Sequence, residues 1–244
     1  TAPRAENRRT WLYRRKPSVV AGRYAPLAMP HWKTAGVDHA SQPTPPEPMR
    51  WQPEKAGELG NFITGMKTMM TNGDLNAQTG VGISLLTLSS LQATQNRAFV
   101  NSDADMLYVP QQGSLLITTE LGLLHLEPNE IACIPRGMSY RIEVAADSAS
   151  NVCKAYVCEN YGAAFRLPEL GPIGSQGLAN SRDFLAPVAA FDSDDGEGGA
   201  ALRSFTLVKK FGGKFWQSEQ AHSPFNVLAW HGNLVPFKYD TRRF

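Results

Sequence analysis

At 244 residues, with 42% hydrophobic and 19% charged side chains, the chain can bury one or two cores and is too apolar for a disordered protein. Its formal net charge is only +2 and no apolar run reaches the length of a membrane span, which argues against a polyanion-binding or membrane-spanning protein. Cys133, Cys153 and Cys158 are too few, and odd in number, for a disulfide framework; with no CxxC and no signal-peptide pattern they suit a reducing, cytoplasmic setting.

Residues 1–60 read as a long irregular arm. Pro17, Pro26, Pro30, Pro43, Pro45, Pro46, Pro48 and Pro53 exclude a long helix or a central strand. Trp11, Trp32 and Trp51 are more aromatic surface than a linker needs, so the arm is expected to be pinned to a surface by these anchors. Residues 1–16 hold six Arg and Lys against one Glu. Such a cluster could touch nucleic acid, but Trp11, Leu12 and Tyr13 interrupt it and nothing downstream continues a phosphate track; packing on a neighbouring subunit is the better reading. His31 and His39 have no acidic or thiol partner at metal spacing.

Residues 61–232 read as a β-sandwich. Phe62–Thr71 precedes Asn72-Gly73-Asp74, a turn signal, and Gly80–Leu91 reads as a strand. Its Gly-x-Gly comes before the strand rather than after it, which excludes a nucleotide loop. Asn96–Asp105 is a polar lead-in. Asp103 and Asp105, at alternate positions, could chelate a cation or simply decorate a solvated loop. From Leu107 to Val144 the pattern is strand, turn, strand, turn, strand: Ser114–Thr119, a reversal at Glu120-Leu121-Gly122, Leu123–Leu126, a turn at Glu127-Pro128-Asn129-Glu130, Ile131–Ile134, a stop at Pro135-Arg136-Gly137, then Tyr140–Val144.

This order of glycine, hairpin, Pro-Asn-Glu, strand and Ile-Pro-Arg-Gly resembles the central meander of cupins and implies an all-β, cupin-like jelly-roll sandwich. Metal-binding cupins place two His and a Glu just before the leading Gly, here Gly113, and a further His after the Pro-x-Gly. No His lies between His39 and His125, Met106 stands where the acid belongs, and Tyr140 stands at the later His. The customary metal pocket is therefore expected to lack its donors.

Val152–Val157 is a further strand. Tyr161–Phe184, rich in Gly and Pro from 168 to 177, reads as an ordered, packed loop in which Arg182 and Asp183 could pair locally. Asp192–Gly199 lacks the donor spacing of a calcium loop and reads as a hairpin tip. Leu202–Phe211 and Lys214–Trp216 flank a Gly212-Gly213 turn. His222 and His231 are the best histidine pair, without a third donor; a Ser223, His231, Asp240 triad can be written but nothing in the sequence supports it. Residues 233–244 read as the start of a connection to a further domain. The chain opens without Met and stops at Phe244 without turn residues, so sequence is expected on both sides.

More specific blocks run along the whole chain. Asn7–Arg14 with Pro17-Ser18-Val19, Asn101–Asp105, Ile134–Met138, Leu170–Gly174, Gly177–Asn180, Arg182–Phe184, Ser223–Val227, Ala229–Asn233 and Pro236–Tyr239 resemble, in order, the amino-terminal portion of the homogentisate 1,2-dioxygenase family. The resemblance implies a cytoplasmic Fe(II) enzyme of tyrosine and phenylalanine catabolism. It uses O₂ to open the ring of homogentisate, giving maleylacetoacetate, and assembles as a hexamer, a dimer of trimers. It also implies iron held by two His and a Glu in a Tyr-His-Arg-Asn-x-Met-Ser-Glu context, with a further His moving protons. No such motif occurs here, and none of His31, His39, His125, His222 and His231 matches a family ligand. No catalytic, cofactor-binding or metal residue is therefore assigned to this chain: it is expected to be the inactive structural half, binding no iron, nucleic acid or membrane. The alternative is a metal-free cupin that binds a small acid or a protein partner without catalysis.

Overall fold

The computed structural model describes residues 7–17, 22–38, 46, 48, 60–91, 96–165, 180–192 and 204–243. His39, Trp51, most of the 161–184 loop, the acidic stretch after Asp192, and the blocks at 170–174 and 177–179 lie outside them. Fifteen strands are described: β1 (Thr10–Arg14), β2 (Ala25–Leu27), β3 (Met66–Asp74), β4 (Thr79–Ser89), β5 (Arg97–Asn101), β6 (Asp105–Gln112), β7 (Leu115–Thr119), β8 (Gly122–Leu126), β9 (Glu130–Ile134), β10 (Ser139–Val144), β11 (Val152–Asn160), β12 (Phe205–Phe211), β13 (Lys214–Gln220), β14 (Val227–Gly232) and β15 (Phe237–Asp240). Two short 3-10 turns, Ser181–Asp183 and Thr241–Arg243, are the helical elements among the described residues, and no helix there is long and apolar enough to cross a membrane.

The strands form an all-β sandwich. One sheet has the order β2-β13-β12-β5-β10-β7-β8, the other β15-β9-β6-β11-β4-β3, and β1 with β14 makes a separate ribbon. Strand alternation decides what fills the space between the sheets. In β11 every second residue, Cys153, Ala155, Val157 and Glu159, is buried; in β4 the same period buries Ser84, Leu86 and Leu88. With Phe62, Phe99, Ile117, Tyr140, Ile142 and Phe215 from the loops and the facing sheet they make one core. Each large apolar side chain there contributes roughly 1.5–3 kcal/mol by leaving water.

The meander turns fall where the sequence puts them. Thr119 pairs with Gly122 across a two-residue reversal, with Gly122 at φ +129°. A Cβ at Gly122 would overlap the Val188 carbonyl oxygen, so the position is held for glycine twice over. Asn129 takes φ +74° between β8 and β9, the conformation its side chain tolerates best among non-glycine residues.

Four expectations come out differently. Asn72-Gly73-Asp74 is the end of β3, not a turn: Gly73 faces Gly80 across the strands, at φ +96° and +92°, and the reversal falls at Leu75–Gln78. The glycines are used where the two backbones press together. The polar lead-in 96–105 contains β5, whose Ala98, Phe99, Val100 and Asn101 are all buried. The arm is partly regular: β1 pairs with β14, β2 pairs with β13, and Trp32 is buried in the core. Residues 237–240, read as the start of a connection, form β15 at an edge of the six-stranded sheet, hydrogen-bonded to β9. Each missed pairing joins segments far apart in sequence, which local periodicity cannot report.

Candidate functional site

Three places hold the residues that the sequence singles out: the space between the sheets at Tyr140, a buried polar cluster around Asn101–Asp105, and a cavity beside β9.

Tyr140 on β10 points between the sheets and meets Tyr108 of β6, the two hydroxyls 2.7 Å apart. Phe99 stands edge-on to Tyr140 at 5.6 Å, and Met106 is buried beside them, its Sδ accepting from Asn101 Nδ2 at 3.0 Å. Burial pushes both phenols well above the ordinary tyrosine range, so they stay neutral. Two neutral phenols, a thioether and a phenyl ring do not make the imidazole and carboxylate set that Fe(II) requires, and the position does not fit that metal. Among the described residues no three His, Cys, Asp or Glu side chains converge.

The raised phenols set a pH dependence. Their folded pKa values exceed the unfolded value near 10, so the stability these two groups contribute is intact below about pH 10 and falls as pH rises beyond it, by about 1.4 kcal/mol per pH unit for each group. Urea unfolding measured from pH 8 to 11 should show this decline. The double change Tyr108→Phe/Tyr140→Phe should make it shallower, the rest of the decline coming from Tyr161 and Cys133, whose pKa values burial also raises, whereas Tyr140→Phe alone should destabilise by about 1–3 kcal/mol by leaving the Tyr108 hydroxyl without its partner.

Asn101, Asp103 and Asp105 form a fastening. Asn101 Oδ1 accepts the backbone N–H groups of Asp103 and Ala104, closing the turn between β5 and β6. The Asp103 carboxylate accepts from the N–H groups of Gly212 and Gly213, at 2.9 Å each. Asp105 accepts from Arg136 through its N–H and Nε and from the N–H of Phe165. The two aspartates are buried and face different loops, so they neither chelate one cation nor decorate a solvated loop. Asn101 Nδ2 also donates to Glu159 Oε1 at 2.7 Å. Glu159 is the hub that sequence reading missed. Its oxygens accept Lys210 Nζ at 2.7 and 2.8 Å, Trp32 Nε1 at 2.9 Å and the Tyr161 hydroxyl at 3.2 Å, all within the core. Lys210 Nζ lies over the rings of Trp32, Tyr161 and Phe215. A signal existed: strand period places Glu159 on the face of Val157, and Lys210 on that of Val208.

The histidines do not assemble. His31 lends its backbone carbonyl to Thr68 N–H. His125 bonds Asp147 at 2.9 Å near the surface and lowers that carboxyl's pKa. His222 is buried, with Nδ1 against the Ser223 carbonyl and Nε2 without a partner among the described residues. His231 lies on the exposed face of β14 against Trp11 and Tyr13, ring centroids 6.5 and 5.9 Å away. Trp11 and Tyr13, expected to seek burial, remain largely exposed there. The written Ser-His-Asp triad is absent: Ser223 Oγ donates to Asp192, and Asp240 is occupied by Arg242. Asp183 pairs with Arg243 at 3.2 Å rather than with its neighbour Arg182. The basic arm turns inward, with Arg8 donating to the Phe165 carbonyl and Arg14 to Glu120, Pro224 and Asn226.

Six of the blocks singled out from sequence meet at a cavity of about 800 Å³, through Arg8, Asp105, Pro135, Phe184, Asn233 and Phe237. Cys133 of β9 also faces it; burial raises its thiol pKa far above the usual range, so it is neither thiolate nor nucleophile.

With this geometry in place, comparison with known proteins adds the following. A family model described as homogentisate 1,2-dioxygenase N-terminal matches residues 1–241. Among solved structures, a cupin protein from Bacteroides fragilis is 16% identical, with 39% of this chain and 78% of that chain covered and a TM-score of 0.31. A cupin-2 domain protein from Shewanella frigidimarina is 17% identical, with 38% and 82% covered and a TM-score of 0.26. Oxalate decarboxylase of Bacillus subtilis, described with Mn(II) centres, is 11% identical, with 41% and 26% covered and a TM-score of 0.31.

Proposed function

Because the chain belongs to the homogentisate 1,2-dioxygenase N-terminal family, we propose that it is the scaffolding half of such an enzyme, a cytoplasmic dioxygenase that opens the ring of homogentisate with O₂ to give maleylacetoacetate in tyrosine and phenylalanine catabolism. Fe(II) supplies the O₂ chemistry in that reaction, and the residues holding it are supplied from outside this chain. The observation that carries this assignment of roles is the filled interior at Tyr108 and Tyr140, where the donors present do not suit the metal. What this chain contributes is rigidity: a sandwich fastened by Asn101, Asp103, Asp105, Glu159 and Lys210, with an arm tied down at β1, β2 and Trp32. The exposed Trp11 and Tyr13 on the β1–β14 ribbon suit burial against another subunit of a hexamer. Nucleic-acid binding is not favoured, since Arg8 and Arg14 direct donors into their own chain.

An oxygen electrode tests the reading. The purified chain, supplied with Fe(II), ascorbate and homogentisate, is expected to consume O₂ no faster than the iron-only control. Turnover above that control would overturn the scaffold assignment.

A further inference from the structure

A second cavity, of about 300 Å³, lies between the arm and the β12–β13 turn. Its floor is apolar: Leu27, Met29, Trp32, Val37 and Phe215. Trp32 and Phe215 belong to the core, so the floor is fixed, while the Met29 thioether can adapt to what enters. Arm and turn are in contact: a Cβ at Gly213 would overlap Val37, and Thr34 Oγ donates to the Gly213 carbonyl at 3.4 Å. Three charged side chains line the cavity. Asp38 already accepts the Thr34 N–H at 2.7 Å. Lys33 on the arm and Lys214 at the start of β13 are exposed, and neither ammonium has an ion pair or hydrogen bond among the described residues. About 300 Å³ is the lower end of the roughly 300–1,000 Å³ of small-ligand sites, room for one large side chain rather than for a nucleotide. Two ammonium groups are too few for a nucleic-acid backbone. The neighbouring β2 is an edge strand, but it is three residues long and contains Pro26, so it cannot template an added strand. Recognition here rests on an apolar anchor and on charge.

We infer that this cavity docks an acidic peptide segment of a partner protein, with one apolar side chain seated on Trp32 and Phe215 and flanking Asp or Glu side chains paired with Lys33 and Lys214. Charge complementarity selects the partner. An acidic segment neutralises both lysines, a basic one meets them with like charge, and a neutral one leaves them as they are. The seated side chain gains by leaving water. The two ion pairs, being exposed, add selectivity and encounter rate more than affinity. The inference does not rest on the ring-cleavage reading, since it invokes no iron and no reaction.

The test is fluorescence anisotropy on the full chain at low salt, with a short, capped, labelled peptide carrying one Phe among Asp and Glu residues. Two control peptides replace the Phe by Gly, or the acids by Asn and Gln. The acidic Phe peptide is expected to bind saturably at one per chain, and each control about tenfold or more weakly. Added salt should weaken the acidic peptide. Lys33→Glu/Lys214→Glu should weaken it by a similar factor with an unchanged unfolding midpoint, since both side chains are exposed. Ala28, exposed at the rim, offers an independent variant: Ala28→Trp should block binding without touching the core. No saturable binding, equal binding of either control, or undiminished binding by either folded variant would each overturn the proposal. So would self-association of the chain alone that Lys33→Glu/Lys214→Glu abolishes, which would put a second copy in the cavity.

Discussion

Replacing Lys210 with methionine is expected to destabilise the chain by about 3–5 kcal/mol, because it strands the Glu159 carboxylate between the sheets. Lys210 and Glu159 are 0% and 1% exposed at the side chain, so neither has water as an alternative partner. They sit on β12 and β11, in different sheets, so their contact is a polar link across the sandwich. Trp32 and Asn101 would still donate to Glu159, but neither carries the positive charge that makes its ionised form tolerable there. The double variant Glu159→Leu/Lys210→Met removes both charges and should recover much of the loss, since replacing a whole buried pair by apolar side chains is often neutral. Urea unfolding of the wild type, both single variants and the double variant gives the coupling directly. Equal stability of Lys210→Met and wild type would refute this account of the core.

Trp32→Ala is expected to cost about 3–5 kcal/mol as well, by a different route. The indole is 3% exposed and packs against both Phe99 and Phe215, its ring centroid 5.1 Å from each, while those two rings stack on one another at 6.4 Å. Removing it leaves a void that the strands around it cannot close, and takes one donor from Glu159. Trp32→Phe separates the two effects: it keeps most of the packing and should cost only the lost hydrogen bond, about 1–3 kcal/mol. Because Trp32 and Lys210 share Glu159, their combined loss should differ from the sum of the single losses. Proteolysis near residues 22–38 would report the same event locally, as the arm peels away in Trp32→Ala before the sandwich unfolds.

The meander was legible because its instructions are local. Glu120–Gly122, Pro128-Asn129 and Gly212-Gly213 carry their turns in their own side chains, and the strands between them alternate cleanly. The all-β class could be read for the same reason. What escaped is non-local. Nothing near Thr10–Arg14 says that its partner is Val227–Gly232, and nothing near Phe237–Asp240 says that β9 waits for it. Asp103 and Asp105 looked like a pair because they are two apart; their meaning lies in Gly212, Gly213, Arg136 and Phe165, which only folding brings near. Glu159 and Lys210 were readable one strand at a time, as charges on buried faces, but their pairing was not.

The β1–β14 ribbon bears on how the protein is made. Arg9 and Asn233, hydrogen-bonded at its end, are 224 residues apart in sequence. At a ribosomal pace of about 5–20 residues per second, Thr10–Arg14 leaves the exit tunnel roughly 10–45 s before its partner has been synthesised. Through that interval Trp11, Leu12 and Tyr13 form an unpaired, sticky strand of the kind that recruits other nascent chains. Arg8, Arg9, Arg14, Arg15 and Lys16 bracket it with like charge, the arrangement that guards an unavoidable apolar strand against aggregation. The basic residues around Trp11–Tyr13 thus have the pattern of gatekeepers for the time before Arg14 packs against Glu120.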